Sequence, residues 1–175
     1  MWGNSEYLSY TKIKIPYYFI QIMELVIQGQ VQGLKWSAAH IIPGHPKCGR
    51  VHGHDYTLDV KLIFPESKRN MDLLRKTGYV MDYGDIKKVI KEIIQPLDHH
   101  FLIPATKLHS ANTFTNLQSS EYNITLPTQD FCALDVDVVS SENLSLYFKH
   151  KLMETFDDIE VYCKVNEGQG QGVWF

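Results

Sequence analysis

The chain has 175 residues, with 44% hydrophobic and 21% charged residues, which fits one globular domain with a real core. A net charge of −3 gives no electrostatic drive toward nucleic acid or a membrane surface. The three cysteines, Cys48, Cys132 and Cys163, are widely spaced and odd in number, which argues against a disulfide framework and for a reducing cytoplasm.

The apolar piece IPYYFIQIM (15–23) is too short to span a bilayer and lacks a small-residue cleavage site. Residues 1–22 read as an N-terminal extension, with the functional domain running from Met23 to Phe175. ELVIQGQVQGLKW (24–36) reads as a strand with Leu25, Ile27 and Val31 on one side and Leu34 and Trp36 on the other. Its phase slips near Gly33, where a bulge is expected. HGHDYTLDVKLIF (52–64) alternates cleanly: His52, His54, Tyr56, Leu58, Val60 and Leu62 share a face. A charged loop is expected over 65–78.

Ile86, Val89, Ile90, Ile93 and Ile94 fall at helical spacing, so 85–95 reads as a helix favoured at its start by Asp82 or Asp85 and stopped by Pro96. A second helix is expected over 141–156, capped by Ser140 or Ser141, with a stripe of Leu144, Tyr147, Phe148 and Leu152. The polar stretch 105–130 reads as an ordered insertion holding a short hairpin, NTFT and YNITL. IEVYCKVNE (159–167) alternates, with Glu167 in phase with Ile159, Val161, Cys163 and Val165, and a short strand at 172–175 is expected to follow. This order gives an α+β domain: a four-stranded antiparallel sheet with two helices on one face.

The chemistry concentrates in HPKCGRVHGHDY (45–56). His52 and His54 stand two apart on a strand, so both imidazoles point the same way, and His40 ends the preceding strand. Three histidines leave a tetrahedral zinc one open position, as catalytic sites require. Two buried imidazoles with no metal would each need hydrogen-bond partners. His45 and His100 compete for a ligand role without a defined strand geometry. The local sequence leaves Cys48 open between fourth ligand and proton-transferring base; the flanking Lys47 and Arg50 supply the positive charge that favours thiolate chemistry. In LDHHF (97–101) the Asp98–His99 pair suits proton relay, against a plain surface cluster. Glu167 is a carboxylate on a buried face and needs a partner, such as a ring edge with paired N–H donors.

WSAAH, CGRVHGHDY, GYVMDYGDIK, LDHHFL, SSENL and VNE follow one another in this order. Together they resemble the 6-pyruvoyl-tetrahydropterin synthase and 6-carboxy-tetrahydropterin synthase family over residues 24–175, apart from the 105–130 insertion. The resemblance implies the tunnelling fold, in which three subunits join their sheets into a barrel and two trimers stack as a hexamer with active sites at subunit interfaces. It implies Zn2+ on His40, His52 and His54, proton transfer by Cys48, Asp98 and His99, and a pterin ring anchored by Glu167. The CxxxHGH spacing resembles the 6-carboxy branch. The implied reaction converts 7,8-dihydroneopterin triphosphate to 6-carboxy-5,6,7,8-tetrahydropterin, acetaldehyde and triphosphate, toward 7-deazaguanine nucleosides. Lys47 and Arg50 are assigned to triphosphate contacts from charge alone. The chain departs from the family pattern at Val139 and Ser140, where Pro and Thr are common, at Gly168 in place of Thr, and at Asp55 in place of Asn. The rivals are 6-pyruvoyl-tetrahydropterin synthase activity, another dihydropterin lyase, and a non-catalytic zinc-stabilised binding module.

Overall fold

A computed structural model describes residues 23–65, 67, 71–108, 114–118 and 122–175; the expected extension at 1–22 lies outside the described residues. In chain order the first half forms β1 (Met23–Ile27), the single helical turn α1 (Gly29–Gln32), β2 (Lys35–His40), β3 (His52–Phe64), α2 (Met71–Thr77) and α3 (Tyr83–Ile94). The second half forms β4 (Phe101–Pro104), β5 (Phe114–Gln118), β6 (Asn123–Pro127), β7 (Phe131–Leu134), α4 (Ser141–Met153) and β8 (Glu160–Glu167).

The long strand β3 is the spine. One of its edges pairs antiparallel with β8, from Tyr56↔Glu167 to Ile63↔Glu160. Its other edge carries β1 (Ile27↔Val60) and then β2 (Lys35↔Thr57), both antiparallel. The expected continuous strand over 24–36 is therefore two strands. Between them the chain leaves the ladder as α1, closed by Gly33 at φ +67, a left-handed conformation that favours glycine. Asp59 Oδ1 holds this turn by accepting from Gly29 N at 2.8 Å. The detour resets the phase. Leu25, Ile27, Leu34 and Trp36 all enter the core, whereas Val31 is exposed.

The sheet is also larger than four antiparallel strands. It has six, because β4 lies parallel to β2 and β7 parallel to β4. FLIP and FCAL are short apolar runs whose partners are distant in sequence, so no alternation betrays them. The anticipated hairpin within the insertion is present as β5–β6. The charged loop contains α2, a third full helix with no buried residue. The tail at 172–175 forms no strand, but Phe175 exchanges two backbone hydrogen bonds of 3.1 Å with Cys163.

Two helices cover one face of the sheet, as expected. α3 starts on the Asp82 cap and buries Ile86, Ile90 and Ile94; α4 starts on the Ser140 cap and buries Leu144, Phe148 and Leu152. These meet Tyr56, Leu58, Val60, Leu62 and Phe64 of β3 and Val161, Cys163 and Val165 of β8 in the main core. Each large apolar side chain fully buried here contributes roughly 1.5–3 kcal/mol. A second, smaller cluster joins Phe101, Ile103 and Phe131 to Leu117 of the hairpin. The insertion thus packs on the extra parallel strands and not on the main core.

Candidate active site

The inward face of β3 changes character along its length. Phe64, Leu62, Val60, Leu58 and Tyr56 are buried; His54 and His52, at the same phase, reach the rim. Antiparallel register then sets His40 directly opposite His52, with Ala38 opposite His54. The small Ala38 side chain leaves room for the three rings. The ligand-capable atoms of His40, His52 and His54 lie within 4.8 Å of one another.

The tautomers follow from the acceptors. A carbonyl can only accept, so His40 Nδ1 donates to Val139 O at 2.6 Å and His52 Nδ1 donates to Arg50 O at 2.8 Å. Both Nε2 atoms are then unprotonated and face one another at 3.0 Å. Burial holds the His40 imidazole well below the ordinary histidine range, at about 4, with the Val139 carbonyl opposing this and His52 and His54 adding to it. His54 Nε2 is buried and has no hydrogen-bond partner. Three inward nitrogens, two tautomerically fixed by the Val139 and Arg50 carbonyls and one orphaned, fit a divalent cation with an open position. Nothing in this donor set distinguishes zinc from its transition-metal neighbours.

Glu167 stands beside them. Its Oε1 is 3.9 Å from His40 Nε2 and its Oε2 is 3.8 Å from His54 Nε2. The Oε1 atom is buried without a partner, and so is the hydroxyl of Tyr56, the cross-strand partner of Glu167. Burial first, then the nearby Glu167 carboxylate and Cys48, push the Tyr56 phenol far above its ordinary range.

Cys48 sits in the loop between β2 and β3. His45 Nδ1 accepts from Cys48 N at 2.9 Å and from Lys47 N at 3.3 Å, and Ile42 N donates to Cys48 O at 2.7 Å. His45, a rival ligand on sequence grounds, therefore organises this turn. A Cβ on Gly49 would meet His45 O at 2.6 Å, so the tight turn requires glycine there. The Cys48 thiol is half-buried, and Lys47 and Arg50 are exposed on either side.

Asp98 and His99 form the expected pair, 3.0 Å apart, where the chain enters β4. Asp98 Oδ1 accepts from Ser37 N at 2.9 Å, and His99 N donates to Ser37 O at 2.7 Å. The Ser37 N–H holds the Asp98 carboxyl below the usual carboxylate range, with the adjacent His99 acting in the same direction. His99 adopts φ +61 and its side chain is 82% exposed. Among the described residues no hydrogen bond or ion pair joins this pair to Cys48. A groove of about 680 Å³, bordered by Gly53, His54, Asp55, His99 and His100, runs between His99 and His54. His100 donates from Nδ1 to Asp98 O at 2.7 Å and stands apart from the three-histidine group.

Two contributors escaped the sequence reading. The Val139 carbonyl orients His40, although Val139 stands out in sequence only as a departure from proline. Tyr56 could have been found: it continues the His52, His54 phase by one more step.

A family model described as 6-pyruvoyl tetrahydropterin synthase matches residues 31–174. A relative from Methanocaldococcus jannaschii, provisionally named a 6-carboxy-5,6,7,8-tetrahydropterin synthase, is 33% identical over 165 residues, covering 87% of this chain and 96% of its own. The 6-carboxy-5,6,7,8-tetrahydropterin synthase of Haemophilus influenzae is 34% identical over 82 residues, 46% of this chain and 55% of the relative. Among solved structures, 6-pyruvoyl tetrahydropterin synthase of Plasmodium vivax superposes with a TM-score of 0.73 at 22% identity, over 89% of this chain and 97% of that one.

Proposed function

This chain belongs to the 6-pyruvoyl tetrahydropterin synthase family, and from that premise we propose that it is a zinc-dependent 6-carboxy-5,6,7,8-tetrahydropterin synthase. The carrying observation is the set of three inward histidine nitrogens within 4.8 Å of one another, with the Glu167 carboxylate at 3.8 and 3.9 Å from two of them. The names of the relatives at 33% and 34% identity support the 6-carboxy branch.

The proposed substrate is 7,8-dihydroneopterin triphosphate, which the enzyme converts, with one water consumed, to 6-carboxytetrahydropterin, acetaldehyde and triphosphate. Zinc on His40, His52 and His54, when bound, supplies Lewis acidity toward the hydroxyls of the substrate side chain. Glu167 accepts charge-assisted hydrogen bonds from the amino group and ring N–H of the pterin. Cys48 moves a proton at the side-chain carbon, and the Asp98–His99 pair serves the opposite face. Asp98 keeps its charge beside His99, fixes the imidazole and stabilises its protonated form. Lys47 and Arg50 contact the triphosphate. These roles belong to the domain spanning residues 23–175, assembled as a homo-hexamer of two trimers, in the cytoplasm, where free thiols at Cys48, Cys132 and Cys163 persist. Among the described residues no helix is long and apolar enough to cross a membrane.

The family model and the Plasmodium structure carry the 6-pyruvoyl name, so that reaction is the second reading. Zinc-loaded protein incubated with 7,8-dihydroneopterin triphosphate separates the two. Acetaldehyde together with 6-carboxytetrahydropterin is the expected result. Triphosphate release with a 6-pyruvoyl product assigns the second reading. Zinc-dependent stability without turnover would reduce the protein to a metal-stabilised binding module.

A further inference from the structure

A line of hydrogen bonds reaches His40 from the start of α4. Its last member is His40 Nδ1 donating to Val139 O at 2.6 Å. The His40 ring is closed to solvent, so no bulk water can take over that bond. The bond decides what the ring can do. With the proton on Nδ1, Nε2 keeps its lone pair and faces the other histidines. The direction of one carbonyl therefore sets which His40 nitrogen can meet a metal.

Val139 lies between β7 and α4, where the chain has no regular secondary structure. It is the middle residue of a three-residue turn, closed by Ser140 N donating to Val138 O at 3.0 Å. Asn143, in the first turn of α4, adds a second bond to the same oxygen: its Nδ2 donates to Val138 O at 2.8 Å. The carbonyl can only accept, so it is the amide nitrogen of Asn143 that faces it, and both lone pairs of the oxygen are then used. Asn143 is itself held firmly. Its N–H donates to the Ser140 cap at 3.3 Å, and the next residue, Leu144, is buried in the main core. Val139 is buried in the same core. One side chain thus ties the turn to the helix.

We propose that Asn143 is a positioning residue for the metal site: by bonding the Val138 carbonyl it fixes the turn that aims Val139 O at His40, and so keeps His40 Nε2 free for a metal. The assignment rests on the three-histidine metal reading above and is independent of which pterin reaction follows. Asn143 acts through Val138, Val139 and His40 and touches neither metal nor substrate.

Two variants of the full chain test this. Asn143→Asp keeps the shape of the side chain and places a negative charge at the helix start, where the dipole favours it, but its carboxylate cannot donate to Val138 O. Asn143→Ala removes the donor without adding charge. Zinc affinity is measured by competition with a chelator, and the His40 Nδ1–H is followed by NMR on zinc-loaded protein with labelled histidine. Both variants are expected to bind zinc about tenfold more weakly, as loss of outer support for a ligand does. Their His40 Nδ1–H should exchange with solvent faster than in wild type. A purely structural role would lower the melting temperature and leave both readouts of the folded protein unchanged, and that result overturns the proposal. So does a wild-type protein whose His40 Nδ1–H is not protected from exchange, with no variant needed. If wild type binds no zinc, the metal reading itself fails and this inference falls with it.

Discussion

The three histidines and the Asp98–His99 pair both lean on β2, but on opposite terms. His40, His52 and His54 project from the helix-covered side of the sheet and continue the phase of the main core, and carbonyls orient His40 and His52. His40 is fully buried. Asp98 and His99 hang on the backbone of Ser37 at the other edge of β2, with the His99 ring 82% exposed. The three-histidine group, which could hold a metal ion, is thus complete within one chain. The proton-transfer half is preformed as a pair yet turned outward, with no bond to Cys48 among the described residues. The proposed assembly of joined subunits would complete such a site with a second copy.

The largest effects should come from the buried half. His52→Ala or His54→Ala should cut zinc affinity by more than the roughly 10–100-fold that loss of a group hydrogen-bonded to a ligand costs. Calorimetric titration with zinc measures this, and an unchanged affinity would break the ligand assignment. Cys48→Ala sharpens the contrast: it should keep full zinc content and lose about 10²–10⁴-fold in turnover. Loss of zinc in that variant would make Cys48 a ligand instead.

The outward pair should show itself in pH dependence. The Asp98 carboxyl is held below its unfolded value, so its contribution to stability is present above the unfolded pKa, near 4, and is lost as pH falls through the lower folded value. Melting temperatures of wild type and Asp98→Asn should therefore differ by a constant amount above about pH 5 and converge as the solution is acidified. A gap independent of pH would remove Asp98 from this account. The smallest effect is chemical. Burial pushes the Cys163 thiol up to about 12 and also raises Cys132, whereas Cys48 lies half-buried in a loop. Iodoacetamide should label Cys48 first and Cys163 last, read by peptide mass. Early labelling of Cys163 would mean that its strand opens.

Strong local periodicity made much of this legible. The alternation of β3 and β8 and the stripes of α3 and α4 announced both the core and the histidine face. The HGH spacing on β3 put His52 and His54 on one face directly, because strand geometry places residues two apart on one side. Non-local events were not legible. QGQVQG alternates as a strand would, yet the Asp59 carboxylate, thirty positions away, stabilises a helical turn there. β4 and β7 exist through parallel pairing across the insertion. The Val139 carbonyl lies ninety-nine positions from His40.

The proposed division puts the three histidines and Cys48 in one chain and the Asp98–His99 pair that completes their site in a second copy. Cys48→Ala and His99→Ala chains, each inactive alone, can be co-expressed under different tags and purified as mixed complexes. The account predicts that the mixed complexes regain turnover on 7,8-dihydroneopterin triphosphate, while zinc content stays equal to wild type in every sample. No recovery in complexes shown by mass to contain both chains would contradict it and return both halves to a single chain.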